Sequence, residues 1–198
     1  DTRLPNVKPY VILDRKVTDG SGNEHDIKVG LIGFVPPQIL NWDRRWLEGN
    51  VSVRDIVETA KAYIPEMKEA GADVVIALSH SGIESGTATE FQENATLHLA
   101  GVNGIDAILA GHHHLVFPGP KYDGLSGADV NNGTLQGTPT VMSGFWGSHM
   151  GLIDLLLERS GDEWKVVDHK CEARPISERI ERKTSALVDS QQDILDSV

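Results

Sequence analysis

Two short apolar runs, at residues 73–78 and 105–110, constrain the fold of this chain more than any other feature. Runs of this length are typical of strands that are buried on both faces of a sheet. Residues 88–100, between them, have a helical pattern. Two such strands joined through a helix form a unit whose strands run parallel. We therefore expect an α/β fold.

The flanking segments add further elements to this unit. Residues 9–14 and 27–35 are predicted to form a β-hairpin that ends at Pro36 and Pro37. Apolar residues at helical spacing predict a helix over residues 53–70, with Ser52 as its N-cap. The downstream predictions are a loop at 117–138, an antiparallel meander of strands at 139–143, 150–158 and 163–172, and a helical segment at 176–198.

The composition excludes several classes of function. The 18 Lys and Arg against 29 Asp and Glu give a net charge of −11, which repels phosphate backbones, so no nucleic-acid polymer is expected as a partner. A small phosphate substrate is still possible, because bound metal ions can reverse the local field. No apolar run reaches the roughly 18 residues that a membrane span needs. The single Cys171 excludes an intrachain disulfide and any multi-cysteine zinc site.

Histidines follow both apolar runs directly. His80 follows the first run, and His112 and His114 follow the second within Gly111-His112-His113-His114. Ligands bind beyond the carboxyl ends of parallel strands, so these imidazoles are expected to meet. In an extended stretch His112 and His114 point the same way and His113 points away. Because imidazole suits Zn, Mn and similar ions, His80, His112 and His114 are candidate metal ligands.

Other polar and aromatic residues admit two interpretations. His113 is either a spectator or a substrate contact. Phe145 and Trp146 either pack their loop against the core or stack on a substrate, and His149 is a candidate for a place near the metal centre. Structural roles are expected for Ser79, Ser81, His25, His98 and His169.

At these residues the chain resembles the calcineurin-like metallophosphoesterases and, within them, the 5'-nucleotidase family. Ser79-His80-Ser81-Gly82 and Gly111-His112-His113-His114 match the last two ligand motifs of that family. Its Asp-x-His, Gly-Asp and Gly-Asn-His-Glu motifs precede these two in the family, and none of them occurs in residues 1–79. The resemblance is closer still to bacterial 2',3'-cyclic-nucleotide 2'-phosphodiesterase/3'-nucleotidase, through residues 33–38, 41–43, 53–57, 104–107, 116–119 and 143–151.

The resemblance implies a four-layer α/β/β/α sandwich with mixed sheets, of which residues 1–175 would be the second half. Residues 176–198 would be a helical linker or tail towards an absent C-terminal nucleotide-binding domain. Two divalent ions, Mn, Zn or similar, are implied as cofactors. His80 and His112 would bind one ion and His114 the other, and the remaining ligands and the general-acid histidine would lie outside this chain. No catalytic residue beyond the metal ligands is then expected here.

The implied function is metal-dependent hydrolysis of 2',3'-cyclic nucleotides and 3'-nucleotides, in a periplasmic or secreted protein. The implied partners are the nucleotide substrate and the missing N-terminal half of the catalytic domain. A 5'-nucleotidase of the same family is an alternative. A further alternative is a non-catalytic fragment that binds metal or a partner, because three imidazoles are a sparse ligand set for a hydrolytic centre.

Overall fold

The central strands form where the sequence is apolar, and the described helices are mostly short. The computed structural model describes residues 7–196. The elements, in chain order, are β1 (Tyr10–Thr18), β2 (Glu24–Phe34), α1 (Ile39–Trp42), α2 (Arg44–Leu47), α3 (Ile56–Glu69), β3 (Val74–Ser79), α4 (Thr96–Leu99), β4 (Ala107–Ala110), β5 (Val116–Phe117), a 3₁₀ turn (Pro120–Tyr122), β6 (Ala128–Asp129), β7 (Thr134–Leu135), β8 (Thr138–Ser143), β9 (His149–Ser160), β10 (Glu163–Pro175), β11 (Ser177–Ile180), β12 (Lys183–Ala186) and α5 (Gln192–Leu195).

The main sheet is mixed, with the strand order β1-β2-β3-β4-β8-β7-β6 and with β5 paired to β8. Strands β2, β3, β4 and β8 run parallel to one another. Strands β1, β5, β6 and β7 pair antiparallel. The predicted α/β fold with a mixed sheet, the hairpin of β1 and β2 and the parallel pairing of β3 with β4 are thus confirmed.

Helix α3 covers one face of this sheet. Its apolar positions at helical spacing, Ile56, Ala60, Ile64 and Met67, are all buried. The helix continues through Pro65 and begins at Ile56, where the Asp55 side chain accepts a hydrogen bond from the Glu58 backbone N–H. The predicted N-cap at Ser52 is therefore wrong, because the carboxylate of Asp55 satisfies a free N–H of the first turn.

Three predictions of local structure are wrong. Residues 88–100 are mostly a loop, and only Thr96–Leu99 form a helical turn. The meander does not form, because β8 joins the main sheet beside β4 whereas β9 and β10 make a separate hairpin. The sequence predicts a helical segment over residues 176–198. Within residues 176–196, however, β11 and β12 form a hairpin and only Gln192–Leu195 are helical; residues 197 and 198 lie outside the described part.

The sheet face opposite α3 is only partly covered. Leu78 and Leu109 are direct partners on β3 and β4, and their side chains are 42% and 43% exposed. Val141, the next partner along this row, is buried and lies beside Gly151 of β9. The β9–β10 hairpin thus covers the β8 end of this face. The two central strands are exposed at Leu78 and Leu109, near their carboxyl ends, whereas Val74 and Ala107 on the same face are buried. Exposed leucines are unusual on central parallel strands.

Within residues 7–196 the structure contains no helix that is both long enough and apolar enough to cross a membrane.

Candidate active site at the strand ends

The parallel strands bring two of the predicted ligands together. Ser79 of β3 pairs with Ala110 of β4, so His80 and His112 follow neighbouring strand ends. The backbone N–H of His80 donates to the carbonyl of Phe34 at 3.0 Å, which ties His80 to the end of β2 as well. The His80 and His112 rings lie with centroids 5.4 Å apart. The sequence-based expectation that their imidazoles meet is confirmed in geometry, and their role as ligands stays a prediction.

The Gly-His-x-His segment forms a turn, and the prediction of an extended stretch is wrong. His112 and His114 both have positive φ, at 71° and 56°, and the N–H of His113 donates to the carbonyl of Gly111 at 2.9 Å. Because of this turn, the His113 ring packs beside His112, with centroids 6.2 Å apart, and does not turn away from it. The ring of His114 contacts Phe145, at 5.5 Å. A positive φ is uncommon for residues other than glycine, and it often marks functional segments.

The His113 ring is partly buried behind the other imidazoles. Its Nδ1 atom is buried and has no hydrogen-bond partner among the described residues, and neither has Oδ1 of Asn94. Burial, followed by repulsion from His112, lowers the pKa of His113. His113 is therefore held towards its neutral form, the form in which an imidazole nitrogen can accept a proton or bind a ligand.

Two residues that the sequence did not single out individually contact His112. The indole of Trp42, on α1, stacks on the imidazole with centroids 5.3 Å apart and planes at 26°. The carboxylate of Glu93 lies 2.8 Å from His112 Nε2. Trp42 lies in a stretch that carries the family resemblance, which is a signal for the region and not for this contact. Glu93 lies in a polar loop, and no pattern marks it.

The aromatic loop after β8 lies on the His114 side. Phe145 stacks on His114, and Trp146 packs edge-on against Phe145 at 5.3 Å. Trp146 is 94% exposed and has a φ of 51°. The Ser148 hydroxyl lies 2.9 Å from Nδ1 of His149, which fixes that ring beside the loop. Phe145 thus lies between His114 and Trp146, whereas Trp146 remains almost fully exposed.

The histidines predicted to be structural have ordinary surroundings. His25 lies 2.8 Å from the Asp19 carboxylate, and His169 lies 3.1 Å from the carbonyl of Asn132. His98 is partly buried beside the core on α4, with a buried Nε2 that has no partner among the described residues. None of the three follows a central parallel strand.

The serines beside His80 also have structural contacts. The Ser79 hydroxyl lies 2.9 Å from that of Thr96. The Ser81 hydroxyl donates to the Glu93 carbonyl at 2.6 Å and accepts from the N–H of Ala95 at 2.8 Å. Both hydroxyls connect the strand end to the following loop, which supports the expectation that neither serine is a nucleophile.

The donors fit part of a metal centre. His80 and His112 place two imidazoles side by side, which is the start of a ligand set for Mn or Zn. Yet residues 7–196 hold no group of three or more His, Cys, Asp or Glu side chains arranged to bind an ion. Glu93 is not free for this purpose, because it is paired with His112. A complete centre therefore needs donors beyond those that the described part of the chain brings together.

Comparison with known proteins places this geometry in a family. The model of the family described as calcineurin-like phosphoesterase matches residues 14–116. The 2',3'-cyclic-nucleotide 2'-phosphodiesterase/3'-nucleotidase of Salmonella typhimurium is 46% identical over 96% of this chain, which spans 29% of that relative. The trifunctional nucleotide phosphoesterase protein YfkN of Bacillus subtilis is 46% identical over 96% of the chain, which spans 13% of that relative.

The solved structures agree. The crystal structure of calcineurin-like phosphoesterase YfkN from Bacillus subtilis superposes with a TM-score of 0.83 at 48% identity, over 86% of this chain and 51% of that one. The family is hydrolytic, and the matched relatives are named as phosphodiesterases and nucleotidases. The match covers both strand ends and all four consecutive residues from Gly111 to His114. The chain belongs to the calcineurin-like phosphoesterase family.

Proposed function

We propose that this chain supplies the strand-end histidines of a metal-dependent phosphoesterase that hydrolyses 2',3'-cyclic nucleotides and 3'-nucleotides. The observation that carries the proposal is the approach of His80 and His112 at the ends of β3 and β4, 5.4 Å apart between ring centroids. The substrate class is taken from relatives that are 42–46% identical and are named for it. The chain spans less than a third of those relatives, so the whole activity belongs to the proposal.

The proposed reaction adds water across a P–O bond. With a 2',3'-cyclic nucleotide, the water oxygen bonds to phosphorus, the bond from phosphorus to O2' breaks, and a proton ends on O2'. Two divalent ions, when bound, supply electrostatic stabilisation of the charge that develops on the phosphoryl oxygens. In this chain His80 and His112 would hold one ion and His114 would contribute to the other.

The surrounding residues then orient these ligands. Trp42 and Glu93 hold His112, and Phe145 packs against His114. The neutral form of His113, favoured by burial, avoids a positive charge next to a cation. Trp146 is proposed to lie near the substrate, because its indole projects from the same loop as Phe145 and is almost fully exposed.

A further part of the same catalytic domain is proposed as the partner of the open sheet face. The exposed leucines of β3 and β4 form an apolar surface on the central strands, which such sheets normally bury. The chain spans about half of the superposed YfkN chain and 29% of the Salmonella relative. The relatives contain chain beyond the part that matches this sequence. We propose that such a further segment covers the open face and also supplies the metal donors that the described residues lack. A periplasmic or secreted location remains a prediction.

The test compares three substrates in the presence of Mn²⁺. The protein to be tested contains this sequence together with the further part of the catalytic domain, which we call its complementary half. We expect this protein to hydrolyse 2',3'-cyclic AMP and 3'-AMP faster than 5'-AMP. His112→Ala should abolish turnover. His169→Ala is the matched control, because His169 lies on the β9–β10 hairpin, where its ring contacts the carbonyl of Asn132, and does not follow a central parallel strand. A preference for 5'-AMP would contradict the proposed substrate and favour a 5'-nucleotidase.

A non-catalytic role is the second candidate for the 198-residue chain alone. It is favoured by the absence of a complete donor group within residues 7–196. If the chain alone showed turnover that His112→Ala removed, it would have to form a competent centre from its own residues, and the proposed need for a complementary half would be wrong.

A further inference from the structure

The His112 side chain is held on several sides, although its backbone is in an unfavourable conformation. Trp42 stacks on one side, His113 stacks near it, and His80 lies beside it. Only 18% of the His112 side chain is exposed. Its φ of 71° costs free energy for any residue with a Cβ. A conformation of this kind persists only when surrounding contacts determine it, so the partners of the ring stabilise the backbone at His112.

Glu93 is the polar partner of the ring. Its Oε1 lies 2.8 Å from Nε2 of His112. A carboxylate can only accept hydrogen bonds, so in this contact Nε2 carries the proton and donates it. A neutral imidazole with a proton on Nε2 has its free lone pair on Nδ1. The contact therefore decides which nitrogen of His112 is available for a ligand.

Glu93 is itself fixed in place by its backbone. The carbonyl of Glu93 accepts a hydrogen bond from the buried Ser81 hydroxyl at 2.6 Å. Ala95 then donates its N–H to the same hydroxyl at 2.8 Å. Ile83 and Ala95 form a β-bridge that closes residues 83–95 into a loop, which we call the 83–95 loop. Because Ser81 immediately follows His80, the loop is tied to the strand end that carries the other imidazole.

The far side of the 83–95 loop is anchored as well. The backbone N–H of Phe91 donates to the Asp55 carboxylate at 2.7 Å, and its carbonyl accepts from the Gln38 side-chain amide at 2.9 Å. Glu93 thus lies in a short stretch whose two sides are tied to separate elements, the N-terminus of α3 and the end of β3. A carboxylate held in this way can set the orientation of a ring, which a freely moving surface carboxylate cannot do.

We propose that Glu93 is a positioning residue that fixes the His112 ring with Nε2 protonated and Nδ1 directed to a divalent metal ion. The inference rests on the proposed function for the identity of the ligand. Metal-binding imidazoles usually donate their second ring N–H to a carboxylate or carbonyl, and loss of that partner typically lowers metal affinity about 10- to 100-fold. Glu93 is not a catalytic residue in this proposal, because it acts through His112.

The first experiment determines, in the absence of metal, which ring nitrogen of His112 carries the proton. The nitrogen signals of His112 in ¹⁵N-histidine-labelled protein distinguish a protonated from an unprotonated ring nitrogen at a pH where the ring is neutral. We expect a protonated Nε2 and an unprotonated Nδ1 in the unsubstituted protein, and a mixture of both forms in Glu93→Ala. Glu90→Ala is the matched control, since Glu90 is an exposed carboxylate in the same loop, and it should leave the His112 signals unchanged.

The second experiment measures Mn²⁺ affinity by calorimetry in the protein with its complete catalytic domain. We expect Glu93→Ala to bind Mn²⁺ about 10- to 100-fold more weakly, and Glu93→Gln, which keeps an acceptor oxygen and the side-chain size, to fall between Glu93→Ala and the unsubstituted protein. Glu93→Gln also serves if Glu93→Ala fails to fold. Unchanged His112 signals, or Mn²⁺ affinity equal to that of the Glu90→Ala control, would overturn the positioning role. If the unsubstituted protein bound no Mn²⁺, the proposed function would fail. The His112 nitrogen signals measured without metal would still show whether Glu93 determines which ring nitrogen is protonated.

Discussion

The indole of Trp42 lies stacked on the imidazole of His112, with ring centroids 5.3 Å apart and planes at 26°. The two residues are 70 positions apart in the chain, and the contact exists because β2 and β4 end at the same edge of the sheet, one on each side of β3. Trp42 is half-exposed. The contact joins the segment after β2 to the candidate metal ligand.

The first prediction concerns this contact. In Trp42→Ala the carbon-bound ring protons of His112 should move downfield, because an indole stacked on a ring shields its protons. Trp46→Ala is the matched control, since Trp46 is also exposed and its ring contacts Arg45 instead. Proton spectra of the His112 ring check the prediction. The stacking would be refuted if the two variants left the His112 protons at the same positions.

Much of the fold could be predicted because the signals are local. The apolar runs at 73–78 and 105–110 become β3 and β4, and their parallel pairing follows from the connection between them. The loop at 83–95 could not be predicted in this way. Its backbone is held by side chains such as Asp55 and Ser81, which lie outside it. These hydrogen bonds hold residues 88–95 in a loop, so the helix predicted for residues 88–100 does not form there.

Only part of the candidate site could be predicted from the sequence. Histidines placed directly after buried parallel strands must meet at one edge of the sheet, which is why His80 and His112 were found. The bend at His112 and His114 was not predicted, since a spacing of two residues was taken to mean extended backbone. Glu93 and Trp42 reach the site through tertiary contacts, and neither contact leaves a pattern in the sequence.

The second prediction concerns Gly82, in the buried stretch after His80. A Cβ at this position would lie 2.5 Å from Oδ1 of Asn94 and 2.5 Å from the His113 ring. Gly82→Ala should therefore lower the free energy of unfolding by about 1–3 kcal/mol, the usual cost of overpacking. Urea unfolding measures the change. In Gly20→Ala, where the added Cβ meets open space, the free energy of unfolding should stay within about 0.5 kcal/mol of that of the unsubstituted protein. Equal stability of the two variants would contradict the close packing around Gly82.

The third prediction concerns Asp106, which has a structural role. Its Oδ2 accepts hydrogen bonds from the Val75 backbone N–H at 2.7 Å and from Nζ of Lys68 at 3.0 Å. Asp106→Ala leaves the buried Val75 N–H without this acceptor, so the free energy of unfolding should fall by about 1–3 kcal/mol.

Thermal or urea unfolding tests this loss, with two comparisons. Asp106→Asn should lose less, because its amide oxygen can still accept from Val75. Asp162→Ala removes a fully exposed carboxylate 3.6 Å from Arg159 and should change stability by less than about 0.5 kcal/mol. A loss in Asp162→Ala as large as that in Asp106→Ala would contradict the assignment.

The fourth prediction concerns pH and Tyr122. The Tyr122 ring is buried, its hydroxyl has no hydrogen-bond partner among the described residues, and burial raises the pKa of Tyr122 to about 12. In the unfolded chain a tyrosine ionises near pH 10. Between about pH 10 and 12 the unfolded state therefore loses this proton first, so stability should decline as the pH rises through that range.

Tyr122→Phe removes both effects. The variant should be as stable as the unsubstituted protein or more stable at pH 7, because it buries no unpaired hydroxyl. Its advantage in the free energy of unfolding should grow above pH 10, since phenylalanine does not ionise. Urea unfolding at pH 7 and pH 11 measures both. An advantage that shrinks between these pH values would contradict the burial of the hydroxyl.

The last prediction concerns the open sheet face at Leu78 and Leu109. If a further part of the catalytic domain covers this face, a thiol placed there is accessible in the 198-residue chain and protected in the longer polypeptide. Leu109→Cys should therefore react with a thiol reagent far more slowly in the longer form. Cys171 is replaced by Ser in both forms, so that the introduced thiol gives the signal. Leu156→Cys, on β9 at 60% exposure, is the control for a surface outside this face and should react at similar rates in both forms. Equal reactivity of Leu109→Cys in the two forms would mean that the face stays open and that the missing donors are brought to the histidines by a different route.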